Sequence, residues 1–253
     1  MSGRDRLRRI VPVGVRLAVA RALGRQVSPP PGRVDFGDLR RTSPIAGDFG
    51  YGRGGPVDRH YIEAFLDRHR ADIRGRVLEI GDASYTRVFG GTAVTRPDVL
   101  HVDDSAPEAT FVGDLADGSF LPGDAFDCIV LTQTLQFIYD FRAALATTAR
   151  VLRPGGVLLL TVPGISDIAD EKWGATWHYS FTRHSLARAA DEAFPGWATE
   201  ISSHGNVLAA VAFLHGLGRQ ELTAAELSVT HAEYALVHAL RVVKPGPPGG
   251  QEH

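Results

Sequence analysis

The sequence predicts an α/β protein built on a doubly wound, mostly parallel sheet with helices on both faces. Three observations lead there. From Arg76 onward, short apolar runs alternate with segments of helical periodicity, the pattern of parallel strands joined by helical crossovers. The run Val77-Leu78-Glu79-Ile80 ends at Gly81 and breaks into Asp82-Ala83-Ser84-Tyr85, which reads as a buried strand stopping at a tight turn. Acidic residues then close successive strands, and open α/β sheets hold ligands outside the carboxyl ends of their strands.

The elements follow in order. Residues 6–25 suit a basic amphipathic helix, weakened by Pro12 and Gly14. Ser28-Pro29-Pro30-Pro31-Gly32 is a break. Residues 42–56 are rich in Gly and Pro and read as a loop. A helix is expected from Asp58 to His69, with Tyr61, Ile62, Phe65 and Leu66 on one face and Pro56 at its start. Seven strands are expected, over 76–80, 98–103, 109–112, 126–131, 156–162, 197–203 and 234–243. Helices are expected over 141–152, 182–194, 206–217 and 223–228. The chain thus divides into a basic N-terminal arm and linker (1–45), a Gly-rich loop and helix packed on the core domain (46–75), that domain (76–244) and a disordered tail (245–253).

Composition sets limits on function. At 253 residues, 44% hydrophobic and 22% charged, the chain has an ordinary soluble mix that needs no staples. The single cysteine, Cys128, excludes an intramolecular disulfide and any multi-cysteine zinc site. It suits a reducing cytoplasm. Residues 1–25 carry seven arginines against Asp5, a net charge of +6 on a chain whose total is −2. Such an arm suits contact with something anionic, a membrane surface touched peripherally or a phosphorylated substrate; the alternative is a solvated helix. The remaining body is acidic and shows no basic groove, so no nucleic-acid substrate is expected. Arg16 and Arg21 interrupt any signal-peptide core, and no run approaches the roughly 20 apolar residues of a membrane span. No metal site is expected, and the oligomeric state is not legible.

The chemistry gathers at the strand ends. Glu79 lies near the end of the first strand. Asp103 follows Gly81 by 22 residues and closes Val99-Leu100-His101-Val102, where an acid can accept from both ribose hydroxyls. Asp104 is the adjacent alternative. Asp114, in Val112-Gly113-Asp114-Leu115, can accept from an exocyclic amine. Gln133 follows the fourth strand. Each strand-end acid has a second reading, as a cap on the next helix.

With these elements the chain resembles the class I S-adenosylmethionine-dependent methyltransferases. The resemblance rests on VLEIG (77–81), HVDD (101–104), VGDL (112–115), FDCIVLTQTLQFI (126–138) and ARVLRPGGVLLLTVPG (149–164). It implies a Rossmann-like seven-stranded sheet whose seventh strand, 234–243, is antiparallel and lies beside the fifth. It implies S-adenosylmethionine as cofactor, with Glu79, Gly81 and Asp82 bordering its methionine end. Asp103 would take the ribose, Asp114 the adenine amine, Leu115 the base, and Gln133 the methyl-transfer face. The family's E-x-G-x-G-x-G loop is here Glu79-Ile80-Gly81-Asp82-Ala83-Ser84-Tyr85, with one glycine instead of three.

Methyl transfer from a sulfonium is an in-line displacement that the protein promotes mainly by alignment. A hydroxyl acceptor also gains from a base, and His178, in the aromatic segment 172–181, is the catalytic candidate. Trp177 and Tyr179 beside it, and Tyr51 and Arg53 in the Gly-rich loop, are the candidate acceptor contacts. The expected acceptor is a sugar, glycan or other small molecule of natural-product type, methylated on oxygen. Two other readings remain: a methyltransferase fold kept as a non-catalytic scaffold, and a dinucleotide-dependent oxidoreductase. The second lacks a G-x-G-x-x-G after the first strand.

Overall fold

A seven-stranded sheet organises the computed structural model, which describes residues 15, 19, 23, 28–168 and 174–246. The chain divides into two units, Met1–Thr42 and Ser43–His253. In the first, Gly37–Leu39 form a single 3₁₀ turn, and the Gly37 N–H donates to the Asp35 carboxylate (2.9 Å). The sheet belongs to the second. Its strands are β1 (Gly75–Ile80), β2 (Val94–His101), β3 (Phe111–Val112), β4 (Phe126–Thr132), β5 (Leu152–Pro163), β6 (Ala198–His204) and β7 (Val237–Val243). The helices are α1 (Val57–Arg68), α2 (Phe141–Val151), α3 (Arg183–Ala193), α4 (Val207–Leu214) and α5 (Ala224–Ser228).

The strand order is β3-β2-β1-β4-β5-β7-β6. The first five strands pair in parallel, and β7 runs antiparallel to both β5 and β6. The expected Rossmann-like sheet, with its antiparallel seventh strand beside the fifth, is therefore the observed one. The order reverses between β1 and β4, the kind of switch point where such sheets open a crevice.

Strand periodicity distributes the core. Leu78, Ile129, Leu131, Leu158 and Leu160 face one side, where they pack with Leu145 of α2 and Leu186 of α3. Val77, Cys128, Val130 and Leu159 face the other, against Ile62 and Phe65 of α1 and Phe213 of α4. Both faces are covered, which is why these strands read as continuous apolar runs rather than alternating ones. Cys128 is fully buried, and burial raises its thiol pKa well above the ordinary value. The helix starts are capped as short polar residues permit: Asp140 accepts from the Ala143 N–H, Thr182 from Ser185, and Asn206 from Leu208 and Ala209.

Several boundaries differ from expectation, β2, β5 and β7 among them. β2 ends at His101, so Asp103 lies beyond the strand rather than closing it. β5 begins at Leu152, because Arg153-Pro154-Gly155-Gly156 form an irregularity within the strand rather than a turn before it. The expected basic helix over 6–25 lies almost wholly outside the described residues, as does the tail after residue 246. Among the described residues no helix is long and apolar enough to cross a membrane.

Candidate functional site

The reversal between β1 and β4 opens a cavity of about 600 Å³, a size that suits small-molecule and cofactor binding. Gly81, His101, Val102, Asp114, Leu115, Gln133 and Gln136 supply its strand-end wall, and Phe49, Trp177 and Phe213 its aromatic side. A second cavity of about 460 Å³ adjoins it through Tyr51, Arg59, Ile80 and Gln133, and is lined also by Glu79, Asp82 and Tyr85.

The turn after β1 is closed by its own carboxylates. Asp82 accepts from the Ser84 N–H (2.7 Å). Glu79, 3% exposed, accepts from the Tyr85 N–H (3.1 Å) and the Thr86 N–H (2.7 Å). Burial lifts the Glu79 pKa to about 7, against the pull of the Thr86 and Tyr85 hydrogen bonds. A pyrophosphate needs such turn amides free, and here it would also face two carboxylates. Gly81 has φ +97°, and a Cβ there would meet open space. The backbone at the end of β1 therefore stands bare to the cavity, as close approach of a ligand requires.

The turn after β4 is different. Gln133 has φ +47°, a strained left-handed conformation for a residue other than glycine. Its N–H donates to the Thr161 carbonyl (2.9 Å), while its buried Nε2 has no partner. Gln136 donates from Nε2 to the Gln133 carbonyl (3.0 Å) and leaves Oε1 without a partner. Phe49, at φ +58°, lies across the cavity and stacks on Trp177 (6.3 Å between centroids). The Trp177 indole N–H is also buried and unpartnered.

The remaining candidates fall into distinct places. Asp114 lines the main cavity at its exposed rim, with Oδ1 accepting from the Ala116 N–H (2.8 Å). Asp103 lines neither cavity. It is exposed, accepts from the Ser105 N–H (3.0 Å) and lies 3.1 Å from the His101 imidazole; the Ser105 hydrogen bonds, with the nearby His101, hold its pKa below the usual range. Tyr51 lines both cavities. Arg53 lines neither and pairs with Glu221. His178 lines the main cavity, fixed by its N–H to the Gln136 carbonyl (2.9 Å), with its ring edge-on to Tyr139. Tyr179 turns away: its hydroxyl donates to the Tyr139 carbonyl (2.9 Å) and its ring packs on Phe141 and Phe181.

Sequence reasoning passed over three residues at the first turn of α1 and after β5. Arg59 lines both cavities and donates to the hydroxyls of Tyr85 (3.4 Å) and Tyr51 (3.3 Å). Burial opposes its charge, but the Asp58 carboxylate and the two tyrosines hold its pKa above the ordinary value. Asp58 and Asp167 each carry a buried, unpartnered Oδ1. Burial raises the pKa of both, and Asp167 raises that of Asp58 further. The available sequence signals were a charged pair directly after the helix-starting Pro56, and an Asp a few residues past a strand end.

A doubly wound sheet with an antiparallel seventh strand and a crevice beside β1 and β4 defines the class I S-adenosylmethionine-dependent methyltransferase fold, whose cofactor is S-adenosylmethionine. The chain belongs to the family described as Methyltransferase domain, whose family model matches residues 48–193. It is similar to an S-adenosylmethionine-dependent methyltransferase from Mesorhizobium loti, with 15% identity and a TM-score of 0.52 over 75% of this chain and 99% of that one. A second, from Archaeoglobus fulgidus, has 10% identity and a TM-score of 0.50 over 74% and 94%. The [4+2]-cyclase SpnF is similar as well, at 16% identity and a TM-score of 0.50 over 74% and 81%. Likeness at these identities is a likeness of fold, and this fold carries more than one reaction. No curated protein matches the sequence.

The cavity fits the cofactor of the class. It offers a bare glycine backbone at β1, an acid and a buried leucine after β3, unpartnered amide groups after β4, and a β1 turn whose Ser84, Tyr85 and Thr86 amides are already taken by carboxylates.

Proposed function

We propose that this protein is a catalytically active S-adenosylmethionine-dependent methyltransferase that methylates a hydroxyl of a sugar, glycan or other small natural product, in the cytoplasm. The observation that carries the reading is the contrast at the crevice. The β1 turn spends its amides on Glu79 and Asp82, which disfavours a dinucleotide, while Gln133 and Gln136 after β4 keep polar atoms free in the cavity wall.

When bound, S-adenosylmethionine supplies an electrophilic methyl group on a sulfonium whose leaving sulfur is neutral. The chain's own residues position and shelter. Asp114 would accept from the adenine amine, with Leu115 against the base. Asp103 would reach the ribose by exchanging its contact with the Ser105 amide. Gly81, Gln133, Tyr51 and Arg59 would border the amino-acid end, where Arg59 suits a carboxylate. Glu79 and Asp82 would shape that end by holding the β1 turn. Trp177 and the rings of Phe49 and Phe213 would exclude water from the acceptor, and His178, at the cavity rim, would take the proton an alcohol loses. Arg53 would act on the acceptor loop only through its pairing with Glu221, and Tyr179 by supporting the His178 segment from beneath.

Calorimetry with S-adenosylmethionine and with NAD tests the reading. Binding of the first alone supports it, and binding of neither sinks it in favour of a scaffold. His178→Ala should cut turnover by about a hundredfold with unchanged cofactor affinity. Full activity in that variant would remove His178 from the reaction.

A further inference from the structure

One end of the main cavity holds two carboxylates that form no salt bridge among the described residues, although the charge of Arg59 acts on Asp58. Asp58, on the first turn of α1, lines it with a buried Oδ1 that has no hydrogen-bond partner. Asp167, next to the lining residue Ser166, has another. Neither carboxylate forms an ion pair with an Arg or Lys among the described residues. The neighbouring Arg59 directs its guanidinium instead to Tyr51 and Tyr85. Gln136, 1% exposed, adds an independent observation: its Oε1 is an acceptor left unpartnered in the same cavity's wall. Buried acceptors in a native structure are almost always satisfied, and unpaired buried carboxylates are costly. Aromatic faces line the same cavity: Phe49 stacks on Trp177 and meets Phe213 at 5.9 Å, and Phe137 lies edge-on to Trp177 at 5.1 Å.

We propose that this end of the cavity receives a protonated amine on the methyl acceptor, held by Asp58 and Asp167, with Gln136 as a further acceptor and the aromatic rings around its carbon frame. The chemistry is that of a cation. Three acceptor oxygens without donors match the N–H groups of an alkylammonium, and aromatic faces attract the same charge. A neutral polyol would bring hydroxyls that satisfy the oxygens but no positive charge to meet the two carboxylates. The amine anchors the acceptor and need not be the atom methylated, so the hydroxyl target proposed above is compatible with it. The inference rests on the methyltransferase reading, because it assigns the acceptor end of that cavity.

The test uses the full chain saturated with S-adenosylhomocysteine and two probes of equal shape, benzylamine and benzyl alcohol. Calorimetry at pH 7.5 should show benzylamine binding at least about tenfold more tightly, as a charge-assisted contact demands. In Asp58→Asn and Asp167→Asn that preference should fall to about threefold or less and vanish in the double variant, with S-adenosylhomocysteine affinity and the melting temperature kept as proof of a folded site. Equal binding of the two probes, binding of neither, or a preference that survives the double substitution overturns the amine assignment. Failure to bind S-adenosylhomocysteine at all would instead strike the methyltransferase reading, so the two outcomes are separable.

Discussion

The two edges of the sheet treat their carboxylates in opposite ways. Toward the N-terminal half of the strands, acids are matched by bases. Asp98 accepts from Arg76 (2.6 Å) and lies 3.3 Å from Arg96. Asp127 pairs with Arg153, Asp72 with Arg241 (2.8 Å) and Asp124 with Lys244 (2.7 Å). At the C-terminal edge, Glu79, Asp58, Asp114 and Asp167 form no ion pair with Arg or Lys among the described residues. The first edge pairs its acids with the chain's own bases. The second forms no such pairs, although Arg59 stands beside Asp58, and has unpartnered side-chain amides, gaps that in a native structure mark what a ligand supplies.

The sharpest way to break this comparison is to remove an acid from the matched edge. Asp98 is 1% exposed, and Arg76 also lies over the Phe126 ring. Although Asp98 Oδ1 accepts no hydrogen bond, Asp98→Ala would strand Arg76 and should cost about 3–4 kcal/mol of stability in urea unfolding. Cofactor affinity in the surviving folded protein should stay the same. A loss of affinity with little loss of stability would show that the two edges are not functionally distinct.

At the unmatched edge, Glu79 should leave a pH signature nearly as large. Burial raises its pKa in the folded protein from 4.5 to about 7. The folded state therefore holds this proton more tightly than the unfolded chain does. The resulting stability is fully present below about pH 4.5 and is lost as pH rises through 7, a decline of ~3 kcal/mol. Glu79→Gln, which cannot ionise, should flatten that part of the profile in urea titrations at pH 5, 6, 7 and 8. An unaltered slope would mean that the Tyr85 and Thr86 amides keep the carboxylate ionised throughout.

A smaller effect separates two rim acids. Asp114→Ala should weaken S-adenosylhomocysteine binding by about tenfold, as loss of a partly desolvated hydrogen bond does. Asp103→Ala should weaken it by about threefold or less, because that carboxylate must first give up the Ser105 amide, a modest net contact. Calorimetry on the two variants ranks them. The reverse order would show that Asp103 turns inward when the cofactor binds.

How much of this was legible in the sequence follows from what each feature depends on. The parallel core was legible because strands buried on both faces are apolar along nearly their whole length, as Cys128–Leu131 is and as Val77–Ile80 is apart from Glu79. The crevice followed from the strand ends, and Gly81, Asp114, Leu115, Gln133, Tyr51, Trp177 and His178 do come together there. Asp103 was placed on a strand that ends two residues earlier, because strand termini depend on pairing partners rather than on local pattern. Arg53 looked free in a loop, but its partner Glu221 is 168 residues away, beyond any local signal. Arg59 and Asp58 were hidden by the periodicity that revealed α1: the apolar stripe locates the helix, yet says nothing about which polar residues of its first turn meet the crevice. No pattern announces an unpartnered atom, since that is a property of the whole fold.

Gln133 offers the finest test, because it should separate stability from binding within one side chain. Its φ of +47° is unusual for any residue with a Cβ, and glycine adopts that conformation without strain. Gln133→Gly should therefore raise stability by up to about 1 kcal/mol, the relief of the strained backbone being partly offset by a more flexible unfolded chain. The same substitution removes the unpartnered Nε2 and the Oε1 that accepts weakly from Gln136 (3.5 Å). Cofactor affinity should then fall although the protein has become more stable, the trade expected where a strained residue serves a ligand. Urea unfolding and calorimetry on the same preparation measure both. If Gln133→Gly gained stability and kept full affinity, the left-handed turn after β4 would be a feature of folding alone, and the contrast between the two edges would rest on the acids without it.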